Sequence, residues 1–457
     1  MKRTRFVVGA LLLIVCLLAT MGCALAQEAQ EYKSGYFKYI LLEDGTACIT
    51  NCSGPSMELV IPAELDGYKV TQLADKLLYG NRFVTAVTLP ETVTTIGEGA
   101  FAYCASLADV TLPEGLVELK TGAFAWCNAL EEIALPATVT TVGDLCFYAC
   151  EHLTDIVLPD SITFIGEQTF EYCTRLETLK WPDGVPVVGE SMFGKCRALR
   201  FVTLPEGVTE IGESAFEECE ALESIVLPEG LTTIGESAFE SCPALKSVTL
   251  PQSLTALGKK SFMNCAALEA IEIPPQIQVI EDRTFSMCSS LAEVILPDSL
   301  TMVGSDAFGA CYSLESITLP DSVFAMGDGA FIGCVQLKEI RLPAQLTQIG
   351  NFMFAQCEAL ESIVIPANVK KLGDDVFASC RALTSVALPD GLESIGKRAF
   401  QSCSALETLE IPASVTQIGG RAFELAFNLE LIVTRDSYAD AYVQDQPRLK
   451  YTYADEK

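Results

Sequence analysis

The sequence predicts a solenoid, a single elongated domain in which one 23-residue unit is stacked fifteen times. Three observations lead there. Proline falls at fifteen positions from Pro90 to Pro412, always 23 residues apart, without an insertion or deletion. Phenylalanine keeps the same step from Phe101 to Phe423, leucine from Leu107 to Leu429 and cysteine from Cys104 to Cys403. Finally, no single unit has enough apolar side chains to fold alone, so each must bury its core face on its neighbours.

One unit shows how the turn is made. In Leu222 to Pro228 the alternation of Ile225 and Leu227 predicts a short strand with both side chains inward. Pro228 lacks the N–H that a continuing ladder needs and ends the strand at the same place in every unit. A second extended piece, Leu231 to Ile234, is closed by Gly235. That glycine recurs in thirteen of fifteen units, failing at Lys120 and Glu281, which suggests a position where φ > 0 is preferred. Ala238, Phe239, Cys242 and Leu245 then face the strands from a compact helical or 3-10 return. A step of 23 lies within the range of leucine-rich repeats, so the expected fold class is a right-handed leucine-rich-repeat solenoid of short parallel strands with irregular or 3-10 returns.

Nineteen cysteines would ordinarily suggest a disulfide framework. Fourteen of them, however, fill one inward column. Equivalent residues on stacked strands lie roughly 4.8 Å apart, whereas a disulfide wants Cβ atoms nearer about 3.8 Å and turned towards each other. The column therefore reads as free thiols behaving as small hydrophobes, each S–H reaching a loop carbonyl. One cysteine per turn also makes a line rather than a metal tetrahedron. Cys48 and Cys52 stand outside the column and form the one plausible disulfide.

The ends read as caps. Lys2, Arg3 and Arg5, an apolar run from Phe6 to Leu18 and the small residues Ala24 and Ala26 make residues 1–26 a signal peptide, cleaved before Gln27. Gly22-Cys23 offers a second outcome, a lipid anchor on Cys23, although Thr20 departs from the leucine such signals carry. Residues 27–83 read as an N-terminal cap, with a hairpin turned at Asp44-Gly45 and an irregular strand–proline step at Leu59 to Pro62. The array occupies 84–430. Residues 431–457 read as a C-terminal cap, with a short helix opened by Ser437 and a last strand from Leu449 to Tyr453. No later stretch is long and apolar enough to span a bilayer.

The unit L-x-x-I-x-L-P-x-x-[VL]-T-x-I-G-x-x-A-F-x-x-C resembles the repeat of BspA-like bacterial surface proteins. The likeness runs from Leu59 to about Tyr453. Its entry at Glu43 to Ala47 and Asp66 to Val70, and its exit at Ser437 to Tyr442, are similar to those of that family. The resemblance implies export, a secreted or cell-surface location, and adhesion to host matrix or to other bacteria.

Charge and chemistry narrow the function. A formal charge of -30 repels nucleic acid and anionic lipid. The only histidine, His152, lies in a variable column with nothing to pair with, and no phosphate loop or zinc-peptidase motif occurs. No catalytic centre, cofactor or metal site is expected. Two features could meet a partner. Glu131, Glu177, Glu223, Glu269, Glu315, Glu361 and Glu407 occupy alternate turns beside the strand, with Arg200, Lys246 and Lys338 between some of them. Alternation keeps like charges off adjacent strands, and it also makes an acidic stripe. Trp126, Tyr148 and Tyr172, with Tyr103, cluster beside the first cysteines, while Trp181 and Phe201 take strand positions; exposed aromatics are common interface anchors. The expectation is an exported, non-catalytic protein-binding or adhesion module with an unidentified protein partner. The alternative is a structural spacer, and a carbohydrate ligand is less favoured.

Overall fold

The structure, a computed structural model, describes residues 30–54 and 57–456. The signal peptide and the Cys23 lipidation position lie outside them. The chain forms a β-solenoid of about 18 turns. Each turn of the array carries a three-residue position such as Glu132–Ala134, whose central residue points inward, and a two-residue strand such as Thr141–Val142. The two-residue strands pair in parallel and in register with counterparts 23 residues on in longer runs, as Val142 does with Ile165, whereas the three-residue strands pair mostly in couples, as Ile133 does with Ile156. One long sheet stops after Phe164–Ile165. The next residue in the preceding column is Pro186, which has no N–H to give Thr163, so the ladder resumes beyond it.

The core is a set of columns. Fifteen phenylalanine rings stack from Phe101 to Phe423 with neighbouring centroids 5.2–6.0 Å apart. Each lies almost parallel to the next, because identical residues at identical backbone positions inherit one rotamer. Beside them run the thiols. Each of the fourteen column cysteines from Cys104 to Cys403 donates its S–H to the carbonyl 26 residues back, as Cys242 does to Phe216 at 3.1 Å and Cys265 to Phe239 at 3.2 Å; Cys146 lies outside that column. The expected free, carbonyl-bonded column is what forms, and all cysteines among the described residues are free. Desolvation pushes these thiols up, to about 12 for Cys242 and Cys334.

The return is neither a helix nor a 3-10 segment. It is a chain of β-turns cross-linked to the next turn of the solenoid. Ala100, Ala102 and Cys104 donate their N–H groups back to Gly97, Gly99 and Phe101. Gly99, Phe101 and Tyr103 instead donate forward to Thr121, Ala123 and Ala125. Aiming alternate N–H groups this way requires two left-handed residues per return, and non-glycine side chains fill most of them, such as Gln168 (φ 57) and Tyr172 (φ 64). Each costs about 1–2 kcal/mol; the forward hydrogen bond offsets it.

The recurrent glycine serves a different purpose from the one expected. None of the thirteen has a left-handed φ. A Cβ on Gly97 would lie 2.5 Å from the Ala74 carbonyl carbon, and one on Gly143 would lie 2.5 Å from the Thr121 nitrogen. Backbones of successive turns come together at most of these positions, which favours glycine, although Lys120 and Glu281 occupy the column in two turns.

The ends are closed. Strands Tyr32–Ser34, Phe37–Leu41 and Ala47–Cys52 form an antiparallel cap, with Gly45 in the second turn as expected. The strand Tyr32–Ser34 was not visible in the sequence pattern. Cys48 and Cys52 lie on one extended strand and are unbonded. Four residues of strand span roughly 13 Å, so the expected disulfide is corrected: an intrastrand bond cannot close. At the far end helix Tyr438–Gln444 begins at Ser437, whose Oγ accepts the Asp440 N–H at 3.2 Å. Tyr442 meets Phe423 edge-on and closes the ring column.

Candidate binding surface

The expected contact residues fall in three separate places. Trp181 lies in the core. It occupies the column of Leu158 and Leu204, is fully buried, donates Nε1–H to the Val185 carbonyl at 3.0 Å and packs edge-on against Phe193. As an interface anchor it is therefore corrected. Phe201, 47% exposed, lies on the outer face of the strand side with Arg200 over its ring. Glu131, Glu177, Glu269, Glu315, Glu361 and Glu407 are exposed on that side, and Glu223 is half-buried. Two of the three interleaved cations pair with the stripe: Arg200 reaches Glu223 at 2.8 Å and Lys338 reaches Glu315 at 2.7 Å. Such exposed pairs contribute little to stability, and they divide the stripe into shorter acidic segments.

Trp126, Tyr148 and Tyr172 lie on the return side, away from the strands, and belong to a longer ladder. Tyr79, Tyr103, Trp126, Tyr148 and Tyr172 follow one another with centroids 5.2, 5.8, 5.7 and 5.6 Å apart. The backbone explains the order. Tyr103, Trp126 and Tyr172 are the left-handed residues that precede each cysteine, and this conformation turns the side chain out beside its copy on the next turn. Tyr103 and Trp126 are consequently almost coplanar, 11° apart. In the third unit that position is Ala149, and Tyr148 fills the gap from the neighbouring column. The stack tilts there, to 61° against Trp126 and 66° against Tyr172. Tyr79 is 52% and Tyr103 44% exposed; the other three are half-buried.

Tyr79 was missed because it precedes the regular array. Counting back 23 residues from Ala102 finds it, and Cys104 confirms the register by bonding the Leu78 carbonyl, where later units offer phenylalanine. The ladder ends on a cation. Lys195 Nζ lies 4.6 Å from the Tyr172 ring centre and 3.4 Å from Glu171 Oε1. Burial pushes the Glu171 carboxyl up, with Lys195 opposing. Among the described residues no group of three or more histidine, cysteine or acidic side chains could hold a metal ion, and His152 stays half-buried in its variable column.

A family model described as a BspA-type leucine-rich-repeat region in six copies matches residues 71–200, 187–313 and 301–430. Comparison with curated proteins gives no match. Among solved structures, a leucine-rich-repeat protein from Bacteroides ovatus is 24% identical, with a TM-score of 0.53, over 92% of this chain and 99% of that one. A leucine-rich cell-surface protein from Faecalibacterium prausnitzii is 28% identical, with a TM-score of 0.47, over 86% of this chain and 96% of that one. The family model covers most of the sequence, in the same stretch where every turn of the solenoid repeats one set of columns, and on that ground the chain belongs to the BspA-type leucine-rich-repeat family.

Proposed function

We propose that this protein is an exported, non-catalytic binding module that presents an acidic solenoid to host or bacterial surface proteins. The observation that supports it most is the aromatic ladder. Five partly exposed rings in a row have no core to complete, and tyrosine and tryptophan on a rigid scaffold are typical anchors of protein interfaces. The family, one of bacterial surface proteins, agrees with a protein-interaction or adhesion role. Export would follow from residues 1–26, with cleavage before Gln27 or lipid attachment at Cys23. No helix among the described residues is long and apolar enough to cross a membrane.

The test is capture by the chain from Gln27 to Lys457 of host matrix proteins and bacterial surface extract, identified by mass spectrometry at low and high salt. A partner held by the wild type and lost with Tyr103→Ser, Trp126→Ser and Tyr172→Ser together supports the module and its face. Loss instead with Phe201→Ser and Glu177→Gln would move the site to the strand side. Capture of nothing at either salt favours the spacer alternative.

A further inference from the structure

The ladder and its surroundings carry information about what kind of partner segment fits. We infer that the Tyr79–Tyr172 ladder binds lysine and arginine side chains of an extended basic segment of a protein partner. This rests on the binding-module reading above and adds a ligand chemistry to it.

Three observations converge. First, the electrostatics around the rings are one-sided. Residues 84–174 contain thirteen acidic residues and a single basic one, Lys120; basic residues resume at Arg175. Glu98, Asp144, Glu151, Glu167 and Glu171 lie in or next to the return segments that carry the rings, and Glu171 is close enough to Tyr148 to interact with it electrostatically. Second, ring faces attract cations through their quadrupole, and carboxylates nearby add to that attraction. Third, the protein already makes such a contact with its own side chain. Lys195 sits over the last ring, its ammonium 4.6 Å from the centre of Tyr172 and beside Glu171. Tyr103, Trp126 and Tyr148 before it lie within that acidic stretch, whereas Tyr79 is flanked by Lys76 and Arg82; among the described residues no cation sits over any of the four rings.

The geometry also separates this ligand from a sugar. A sugar stacks flat on an open ring face, and Tyr103 and Trp126 cover each other's facing surfaces. Trp126 thus looks along the ladder at Tyr148, which at 61° presents its edge and turns its faces sideways. A compact ammonium or a guanidinium plane fits against a sideways ring between carboxylates; a pyranose has no flat platform there.

The protein contains two tryptophans, and Trp181 is buried, so emission changes on binding report on Trp126. The probe is an eight-residue peptide alternating lysine and serine, titrated into the Gln27–Lys457 chain in 0.15 M salt. Controls are the same peptide with every lysine acetylated, one with glutamate for lysine, and a neutral oligosaccharide. The expected result is a saturable change in emission with the lysine peptide alone, absent in Trp126→Phe. Affinity should fall about ten-fold or more in Tyr103→Ser/Tyr148→Ser/Tyr172→Ser, in which every carboxylate is kept. Circular dichroism checks that this variant folds. Equal affinity for the triple variant would mean charge alone attracts the peptide and overturns the inference. So would equal binding of the acetylated peptide or of the oligosaccharide. Should the ladder capture a protein in the pull-down while the lysine peptide leaves Trp126 unchanged, the binding module stands and the lysine/arginine assignment falls.

Discussion

Ser261 is a residue whose own column argues against it. It is fully buried, and its Oγ has no hydrogen-bond partner. The equivalent residues Thr169 and Thr284 solve this by donating to the carbonyls of Gly166 and Glu281, three residues back; Ala215, Ala238 and Ala307 carry no hydroxyl at all. Leaving a buried hydroxyl unpaired costs on the order of 1 kcal/mol or more. Ser261→Ala is therefore expected to stabilise the fold by about 1 kcal/mol, seen as a higher urea midpoint with unchanged slope. A lower midpoint would show that the hydroxyl has a partner in solution. The same column logic was open to the sequence at Trp181. Its column is otherwise leucine and isoleucine, from Leu89 to Ile411, and inward; read by column it belongs to the core, whereas read by residue type it suggested an anchor. Residue type alone is a poor guide to exposure in a solenoid, because position within the repeat decides which way a side chain points.

At the scale of the element, the period made the strands, the stacked rings and the thiol column legible, since each depends on one residue recurring at one backbone position. What the return would do was not legible. Its conformation depends on left-handed residues as varied as Gln168, Lys195 and Arg283, and no composition marks them, because the forward hydrogen bond rather than glycine makes the turn possible. The glycine that does recur marks contact between turns. The thiol column leads to a pH prediction. In the unfolded chain these thiols ionise near their ordinary value of 9.0, while in the fold burial pushes Cys150, Cys242 and Cys334 up to about 12. A folded value above the unfolded one means stability is intact below pH 9 and is lost as pH rises towards the folded value, because the unfolded chain gives up protons first. Each thiol contributes a slope of about 1.4 kcal/mol per pH unit in that window, and fourteen act together. The solenoid should unfold sharply on the alkaline side, within about one or two units above pH 9. Circular dichroism against pH measures this, and replacing Cys219, Cys242 and Cys265 by alanine should move the midpoint upward and flatten the slope. A midpoint insensitive to those changes would show that thiol ionisation does not drive it.

At the scale of the whole molecule, the full sequence carries a formal charge of -30, and nearly all of its acidic residues are distributed along a one-dimensional stack. Each turn touches only its neighbours, so repulsion between turns is opposed locally by ring stacking, thiol bonds and the two strand ladders, and not by a common centre. Five acidic residues, Asp144, Glu167, Glu190, Glu213 and Glu236, even follow one another in a single column before Lys259. Their cost is reduced where a carboxylate accepts a backbone N–H from the next turn, as Asp144 does from Glu167 at 3.0 Å. The remaining repulsion is long-ranged at low salt, where screening extends about 30 Å at 0.01 M, and short at 0.15 M, about 8 Å. Two salt effects of opposite sign follow. The thermal midpoint of the protein alone should rise by several degrees between about 0.01 M and 0.15 M NaCl as turns cease to repel one another. Binding of a basic partner should weaken over the same range, because the attraction is screened as well. A calorimetric scan and a peptide titration in the same buffers measure both. If the midpoint falls with salt, the ion pairs such as Arg398–Asp375 outweigh the repulsion; if binding ignores salt, the acidity around the ladder serves solubility, and recognition comes from the rings.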